Sequence, residues 1–545
     1  MRSDSSLRGA VKAVAMPSLF AVAGVVMACY PMLYSGLARM QNDPGDTRVI
    51  NYSIEHDYRW LAGAPLNRDL WTAPMFYPEP NTAAFTEPLI GMLPFYAPWR
   101  ALGLAPDSAF QIWIMVSLIL NFAAMYLFLG RCLRFGAAAS CFGSFIFAFG
   151  SPRLNQLNHQ FLLPHFFTVS ALFAICRLFQ ASASDRNLRW GAAWAALLCG
   201  SLVAQIYSCY YLGWFLGFAL LVAGCIAIGI RSARERMAHA FRIYRPALAI
   251  GAALSGAALF PLGAHYLAAA RSAGFRQFWE AEGMLPRFQS WFYLGEENWL
   301  YGWMANRGSF AYLPMEWEQR LGLGLVTTAV VAWSLFHERS RVAVRILIGT
   351  WLGIALTASM YRWNFSPWKW IFQLIPGANG IRAVARIGLL SLIPAAIGIA
   401  FFIENRLAKS RMWALAAGLF CLLEQGRRSL SYEKEAVRAA VSAVAGRVDP
   451  RCEVFFGACA DERSAMDCQL DAIWAGLEVG LPTVNGVSGN NPAGFEALSE
   501  NVLRTPADET RLKAALEKWL LAHGREPGRV CWVTAPASRL AGPGH

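Results

Sequence analysis

The sequence predicts a polytopic α-helical membrane protein of about eleven transmembrane helices, with a small α+β domain at its C-terminal end. Three observations predict it. Of the 545 residues 56% are hydrophobic, and the mean hydropathy is +0.35. Only 15% are charged, against roughly 25% in a soluble domain. Apolar runs of about 18 residues or more, long enough to cross a bilayer, recur along most of the chain. Aromatic residues, 13% of the total, gather at the edges of these runs, as interfacial belts do.

Eleven runs are expected to span: about 13–34, 108–129, 137–150, 161–180, 190–207, 210–230, 246–268, 321–336, 344–360, 383–403 and 411–425. Arg2, Arg8 and Lys12 precede the first run, which is longer than a signal-peptide core and reads as an uncleaved span. With a cytoplasmic N-terminus, the connections at 131–134, 177–189, 231–245, 337–345 and 404–411 face the cytoplasm. All five are short and rich in Arg or Lys, as the positive-inside rule requires. The net charge of +13 is thereby assigned to orientation, and no nucleic acid partner is expected. The expected location is the cytoplasmic (inner) membrane. Loops 35–107, 269–320 and 361–382 then lie outside, with the C-terminal domain (426–545) beyond the spanning module (1–425).

In that C-terminal segment "RCEVFFGA" and "GRVCWVTA" read as short buried strands. "DETRLKAALEKWLLAHG" reads as an amphipathic helix with Leu512, Leu516, Leu520 and Leu521 at helical spacing. Eight of the twelve cysteines lie in or beside apolar runs, where Cys acts as a small hydrophobe. Cys452, Cys459, Cys468 and Cys531 lie in the polar tail, and at least one pair is expected to bond in an oxidising compartment.

The stretch "DPGDTRVINYSIEHDYRWLAG" (43–63) places many ionisable groups directly after the first span. Asp46 suits a helix cap, Ile50, Ile54, Tyr58 and Leu61 form an apolar stripe, and Glu55 and Arg59 are spaced to pair. An amphipathic helix on the membrane surface accounts for that much without chemistry. Asp43, Asp46, Glu55 and His56 are nevertheless candidate catalytic groups, because the first two sit at a fixed depth beside the membrane. The next stretch, "WTAPMFYPEPNTAAFTEPLIGMLPFYAPWR", reads as an ordered loop and a second surface helix from about Thr82 to Trp99.

A first span, a large outer loop that opens on an acid and holds two surface helices, many further spans and an outer C-terminal domain resemble the GT-C superfamily. These are integral membrane glycosyltransferases that use polyprenyl-phosphate-linked sugars. The wording "GDTRVINYSIEHDYRWLAG…FYPEPNTAAFTEPLIG" is similar to bacterial membrane proteins grouped loosely with them. The resemblance covers the architecture of roughly residues 1–425. It implies that Asp46, with Asp43 as substitute, is the general base or acceptor-orienting acid. It also implies a polyprenyl-phosphate sugar donor, membrane lipid around it, and a glycan, lipid or protein acceptor.

Inverting transfer needs a base for the acceptor's proton and cations for the leaving phosphate. In "PGANGIRAVARIG" (376–388), Arg382 and Arg386 are expected on one face of the first turns of the tenth span, where helix N–H groups also favour anions. A sugar-sized gap is expected between Asp46 and the nearer guanidinium. In "SPRLNQLNHQFLLPHF" (151–166), Arg153 and His159 are further phosphate candidates. Glu79, Glu87, Glu296 and Trp299 are candidates for acceptor binding, since sugars stack on aromatic faces and bond to carboxylates. Each has a plain structural alternative: snorkelling arginines, a satisfied histidine, an interfacial aromatic loop. No transition-metal spacing is present; Mg²⁺ or Mn²⁺ on carboxylates stays open.

A lipid or glycan transporter (flippase) is the competing class, and a non-catalytic envelope-assembly protein a third. A transporter places charge within its spans. Here the spans hold almost no Asp or Glu, and polar groups collect in the loops.

Overall fold

In the computed structural model, residues 2–182, 188–460 and 464–535 are described. Residues 183–187, part of the expected inner loop 177–189, lie outside the described residues. The chain is predominantly helical. Among the described residues seven helices are long and apolar enough to cross a membrane: Val14–Tyr34, Pro106–Cys132, Gln160–Ser182, Trp190–Ser208, Tyr210–Gly229, Arg231–Ala273 and Val384–Leu407. An eighth span forms if Val342–Ala358 and Arg362–Leu374, bent by 91°, count as one. The other expected runs are 13-residue helices, at Ala137–Phe149, Leu325–His337 and Arg411–Leu423.

Val384–Leu407 is the packed centre, with 89% of its apolar window buried. Ala137–Phe149 lies against it closely because Gly143 has no Cβ: one there would meet the Ala396 carbonyl at 2.6 Å. The first helix packs on Pro106–Leu127 and Ala137–Phe149 through Val25, Cys29, Met32, Phe110, Leu118 and Phe149, all buried.

Two expected boundaries move. Residues 231–245, read as a loop, form the first third of a 43-residue helix that continues to Ala273. At 1.5 Å per residue it is about 65 Å long, twice a hydrocarbon core, and its Arg- and Ala-rich start is helix-forming whatever its polarity. The expected surface helix 82–99 breaks instead into Thr82–Phe85, Ile90–Met92 and Leu93–Ala101. Pro88 holds Glu87 out of helical geometry.

A short ribbon, β1 (Arg39–Gln41) antiparallel to β2 (Ser431–Glu433), ties the first loop to the chain just beyond the last apolar helix. In the tail, β3 (Val454–Cys459) and β4 (Val530–Ala535) are parallel. Helices Ala465–Val479 and Pro506–Ala522 lie between them in sequence, making a helix-connected parallel pair rather than segregated strands and helices. Every residue of β3 is buried, as for a strand covered on both faces. Leu512, Leu516 and Leu520 face this core, whereas Leu521 is exposed. All four tail cysteines pair, Cys452 with Cys531 and Cys459 with Cys468.

The tail docks on the first large loop. The backbone N–H groups of Phe76 and Tyr77 donate to the carbonyls of Asn485 and Thr483, at 2.8 and 3.0 Å. The Phe76 ring fills a slot beside Phe495, ring centroids 4.7 Å apart. Gly486 leaves room for it, since a Cβ there would meet the ring at 2.3 Å.

Candidate functional site

The surface helix after the first span runs Asp46–Leu61. Its expected cap is corrected: Asp43, not Asp46, accepts the N–H groups of Gly45 and Asp46, at 2.9 and 3.0 Å. Satisfying those donors from upstream leaves the Asp46 carboxylate available, its side chain 44% exposed. Burial pushes the Asp43 carboxyl above its usual range, helped by the neighbouring Asp46 charge. Burial acts on Asp46 in the same direction. There the hydrogen bond and charge of His159 and the charge of Arg386 outweigh it, and the carboxyl is held below its usual range.

His159 is delivered by the loop between Ala137–Phe149 and the next span. The Gln160 amide donates to the Thr47 hydroxyl at 2.8 Å, fastening that loop to the first turn of the surface helix. Gln156 donates through Nε2 to Glu318 at 3.3 Å, so its Oε1, 2.9 Å from His159 Nδ1, faces the ring as acceptor. Nδ1 therefore carries a hydrogen, and Nε2 is the nitrogen that gains or loses a proton. Nε2 lies 3.2 Å from Asp46 Oδ2 and 2.9 Å from Arg386 Nη2. Neutral His159 accepts from Arg386; protonated His159 donates to Asp46.

Arg386 is buried and forked onto Glu318, with Nη2–Oε1 2.6 Å and Nε–Oε2 3.1 Å. Its guanidinium lies over the rings of Tyr211 and Phe161, at 5.3 and 5.4 Å. Burial works to raise the Glu318 carboxyl, but the charges of Arg386 and His159 dominate and lower it to about 2. Asp46, His159, Arg386 and Glu318 thus form one continuous chain from an open carboxylate to a buried one.

Two expectations about the arginines are corrected. Arg386 is paired with Glu318, and the His159 imidazole occupies the gap to Asp46 where a sugar-sized space was expected. The two arginines also do not share the first turns of a helix. Arg382 precedes a 3₁₀ segment, Val384–Ser391, that leads into the helix. The backbone N–H groups of Arg382 and Ala383 donate to the Tyr211 hydroxyl at 3.1 and 3.2 Å, which keeps Arg382 beside the site. Its guanidinium makes no ion pair or hydrogen bond among the described residues.

Other candidates are built into the scaffold. Glu55 is fully buried and accepts from Arg59, Arg100 and the Tyr96 hydroxyl. His56 bonds the Leu70 carbonyl and Asn67, at 3.0 and 2.7 Å. Arg153 is spent on the Phe147, Leu162 and Leu163 carbonyls and on His165. Glu79 joins Ser272 to His523 of the tail. Glu87 accepts the Tyr210 N–H at 2.6 Å at the start of helix Tyr210–Gly229, and burial pushes its carboxyl up to about 7 although Arg386 lies within range of its charge. Glu296 is exposed, and half-exposed Trp299 packs over Gly426.

Glu318 escaped the sequence reading. It is one of six glutamates in an aromatic loop, and its partner lies 68 residues away, so no spacing marks it. Nor does the cluster suit a divalent ion. The Arg386 guanidinium already stands between His159 and Glu318, and a metal there would meet a fixed positive charge. Among the described residues no group of three or more His, Cys, Asp or Glu is disposed to hold a metal.

Many membrane-length helices around a buried central one, with an acid-bearing surface helix held against the loop before a span, define a multi-pass membrane protein with one polar site at the helix ends. The fold is similar to that of solved membrane oligosaccharyltransferase structures. Two structures of the oligosaccharyltransferase of Archaeoglobus fulgidus align over 92% and 93% of this chain, with TM-scores of 0.53 and 0.51 and 12% and 11% identity. One holds zinc and sulfate, the other an inhibitory peptide and a dolichol-phosphate. This chain spans about two thirds of their length, 66% and 68%. No protein-family model matches the sequence, and no curated protein does.

Proposed function

We propose that the protein is a membrane glycosyltransferase that moves a sugar from a polyprenyl-phosphate donor to a glycan, lipid or protein acceptor on the outer face of the cytoplasmic membrane. The observation that carries the reading is the Asp46 carboxylate. It is open to an incoming group on one side and coupled through His159 to the Arg386–Glu318 pair on the other, within a GT-C fold.

In this reading the acceptor hydroxyl attacks the anomeric carbon as the bond from that carbon to the phosphate oxygen breaks. The electron pair leaves with the polyprenyl phosphate. Asp46 takes the hydroxyl proton. Its low pKa suits a late transfer, after bond formation has acidified the hydroxyl. Protonated His159, its Nε2 at 3.2 Å, donates to the Asp46 carboxylate and orients it toward the incoming hydroxyl. Arg382, unpaired and beside the site, meets the leaving phosphate with its fork of donors.

The test is transfer by purified protein in proteoliposomes, supplied with a panel of radiolabelled polyprenyl-phosphate hexoses and membrane extract as acceptor. Asp46→Asn should lower transfer by at least ~10² with donor binding retained. Arg382→Gln should weaken donor binding. Normal transfer by Asp46→Asn, or no release of sugar from any donor by the wild type, overturns the reading.

A further inference from the structure

A cavity of about 20 Å³ lies inside the first large loop, between the surface helix Asp46–Leu61, residues 70–90 and the side of the long helix Arg231–Ala273. That is room for a single species of about the size of water, and it excludes a sugar or a phosphate ester. Ser53 and Asp57, one turn apart on the surface helix, form one side. Thr86 and Glu87 form the other. Neither Asp46 nor His159 lines it, so this cavity is separate from the Asp46 site.

Its wall is made of acceptors. Asp57 is 6% exposed, and its carboxyl accepts no hydrogen bond and meets no cation among the described residues. Its oxygens keep accessible surface, unlike the sealed polar atoms of the core, so they open on the cavity. Glu87 uses one oxygen on the Tyr210 N–H at 2.6 Å. The Ser53 and Thr86 hydroxyls donate to the carbonyls of Val49 and Ala83, both at 3.1 Å. Their oxygens stand 3.5 Å apart with only lone pairs left to present. His56 donates through Nε2 to the Leu70 carbonyl and accepts from Asn67 at Nδ1, which occupies its one lone pair. Among the described residues no lysine or arginine lines the cavity. Burial acts unopposed on Asp57 and pushes its carboxyl well above the usual carboxylate range.

We infer that this cavity binds one hard divalent cation of the kind of Ca²⁺, on the carboxylates of Asp57 and Glu87 and the hydroxyl oxygens of Ser53 and Thr86. Two carboxylates match a double positive charge. A set of oxygens alone, with the imidazole lone pair already taken, suits a hard ion and not a transition metal. Mg²⁺ keeps several of its waters, for which the cavity has no room, whereas Ca²⁺ accepts protein oxygens in flexible geometry. The ion ties the surface helix to the segment ahead of Pro88, and through Glu87 to the start of span Tyr210–Gly229. Its role is structural, so the inference does not depend on the proposed glycosyl transfer.

The test uses the full chain in detergent, stripped with EDTA and held at constant ionic strength in KCl near neutral pH. Ca²⁺ is titrated calorimetrically, and thermal melting is followed with and without it. One Ca²⁺ should bind, and saturating Ca²⁺ should raise the melting midpoint. Asp57→Asn keeps the shape and removes the charge. It should weaken binding at least about tenfold and cancel the rise in melting. Without Ca²⁺ it should melt at or above the wild-type temperature, because a buried acid without counter-charge is gone; that result separates loss of the ligand from loss of the fold. Glu87→Gln should weaken binding in the same way. Asp46→Asn, outside the cavity, should leave Ca²⁺ binding unchanged. Absence of Ca²⁺ binding means that both acids are held protonated around a water and overturns the inference, as does Ca²⁺ binding that survives Asp57→Asn or that Asp46→Asn removes.

Discussion

His159 holds Asp46 through a single nitrogen. Nε2 stands 3.2 Å from Asp46 Oδ2 while Nδ1 is fixed by Gln156 at 2.9 Å. Because the same Nε2 also faces Arg386 at 2.9 Å, the imidazole serves the acid or the guanidinium according to its protonation state. His159→Phe keeps a ring of similar size and removes both contacts. Transfer should fall about 10²–10⁴-fold, and any limb of the pH–rate profile that belongs to this pair should disappear. An unchanged profile would show that the ring only fills space.

Glu318→Gln should be among the most destabilising single changes in the loops. It leaves Arg386 buried without its counter-charge, a loss of about 3–5 kcal/mol. The pH dependence has a definite sign. The folded carboxyl is lowered from 4.5 to about 2. Its stabilisation is therefore complete above about 4.5 and is lost as pH falls toward 2. Thermal melts from pH 2 to 6 should show this slope in the wild type and a shallower one in the variant.

Glu87 carries the opposite sign. Burial, against the Tyr210 N–H and the Arg386 charge, raises its carboxyl from 4.5 to about 7. Its contribution is present below 4.5 and is lost as pH rises through 7. Glu87→Gln should flatten the stability profile between those values and melt at or above the wild-type temperature at pH 8.

The cysteines give a countable outcome. Maleimide labelling of denatured, unreduced protein should modify eight thiols, and twelve after reduction. Loss of the Cys452–Cys531 bond, which spans 79 residues, should cost about 4 kcal/mol in a chain-entropy estimate. Twelve thiols without reductant would refute both pairings.

Orientation can be read with an impermeant thiol reagent on intact cells. A cysteine placed at Ser464, in the tail, should label, and one at Ser340, in an Arg-rich connection, should not. The reverse pattern would invert the expected topology and remove the case for an outward-facing site.

The sequence by itself determined a great deal of the architecture. Hydropathy and helical periodicity are local properties, so the apolar helices, the Asp46–Leu61 helix, the Pro506–Ala522 helix and the two tail strands were legible. The acids directly after the first span drew the reading to Asp46, because they lie at a set depth. Local rules also produced the misreadings. They gave Asp46 the capping task that Asp43 performs and placed a loop over 231–245 where the helix continues. What only the tertiary structure decided is how charges pair. Arg386 meets His159 across 227 residues, and Arg48 meets Asp471 across 423. No spacing encodes such meetings, because they arise from which helix ends the packing brings together. A buried charge must then take whatever counter-charge lies within reach, since leaving it unpaired costs several kcal/mol. That requirement pairs Arg386 with Glu318, whereas Arg382 makes no side-chain ion pair among the described residues.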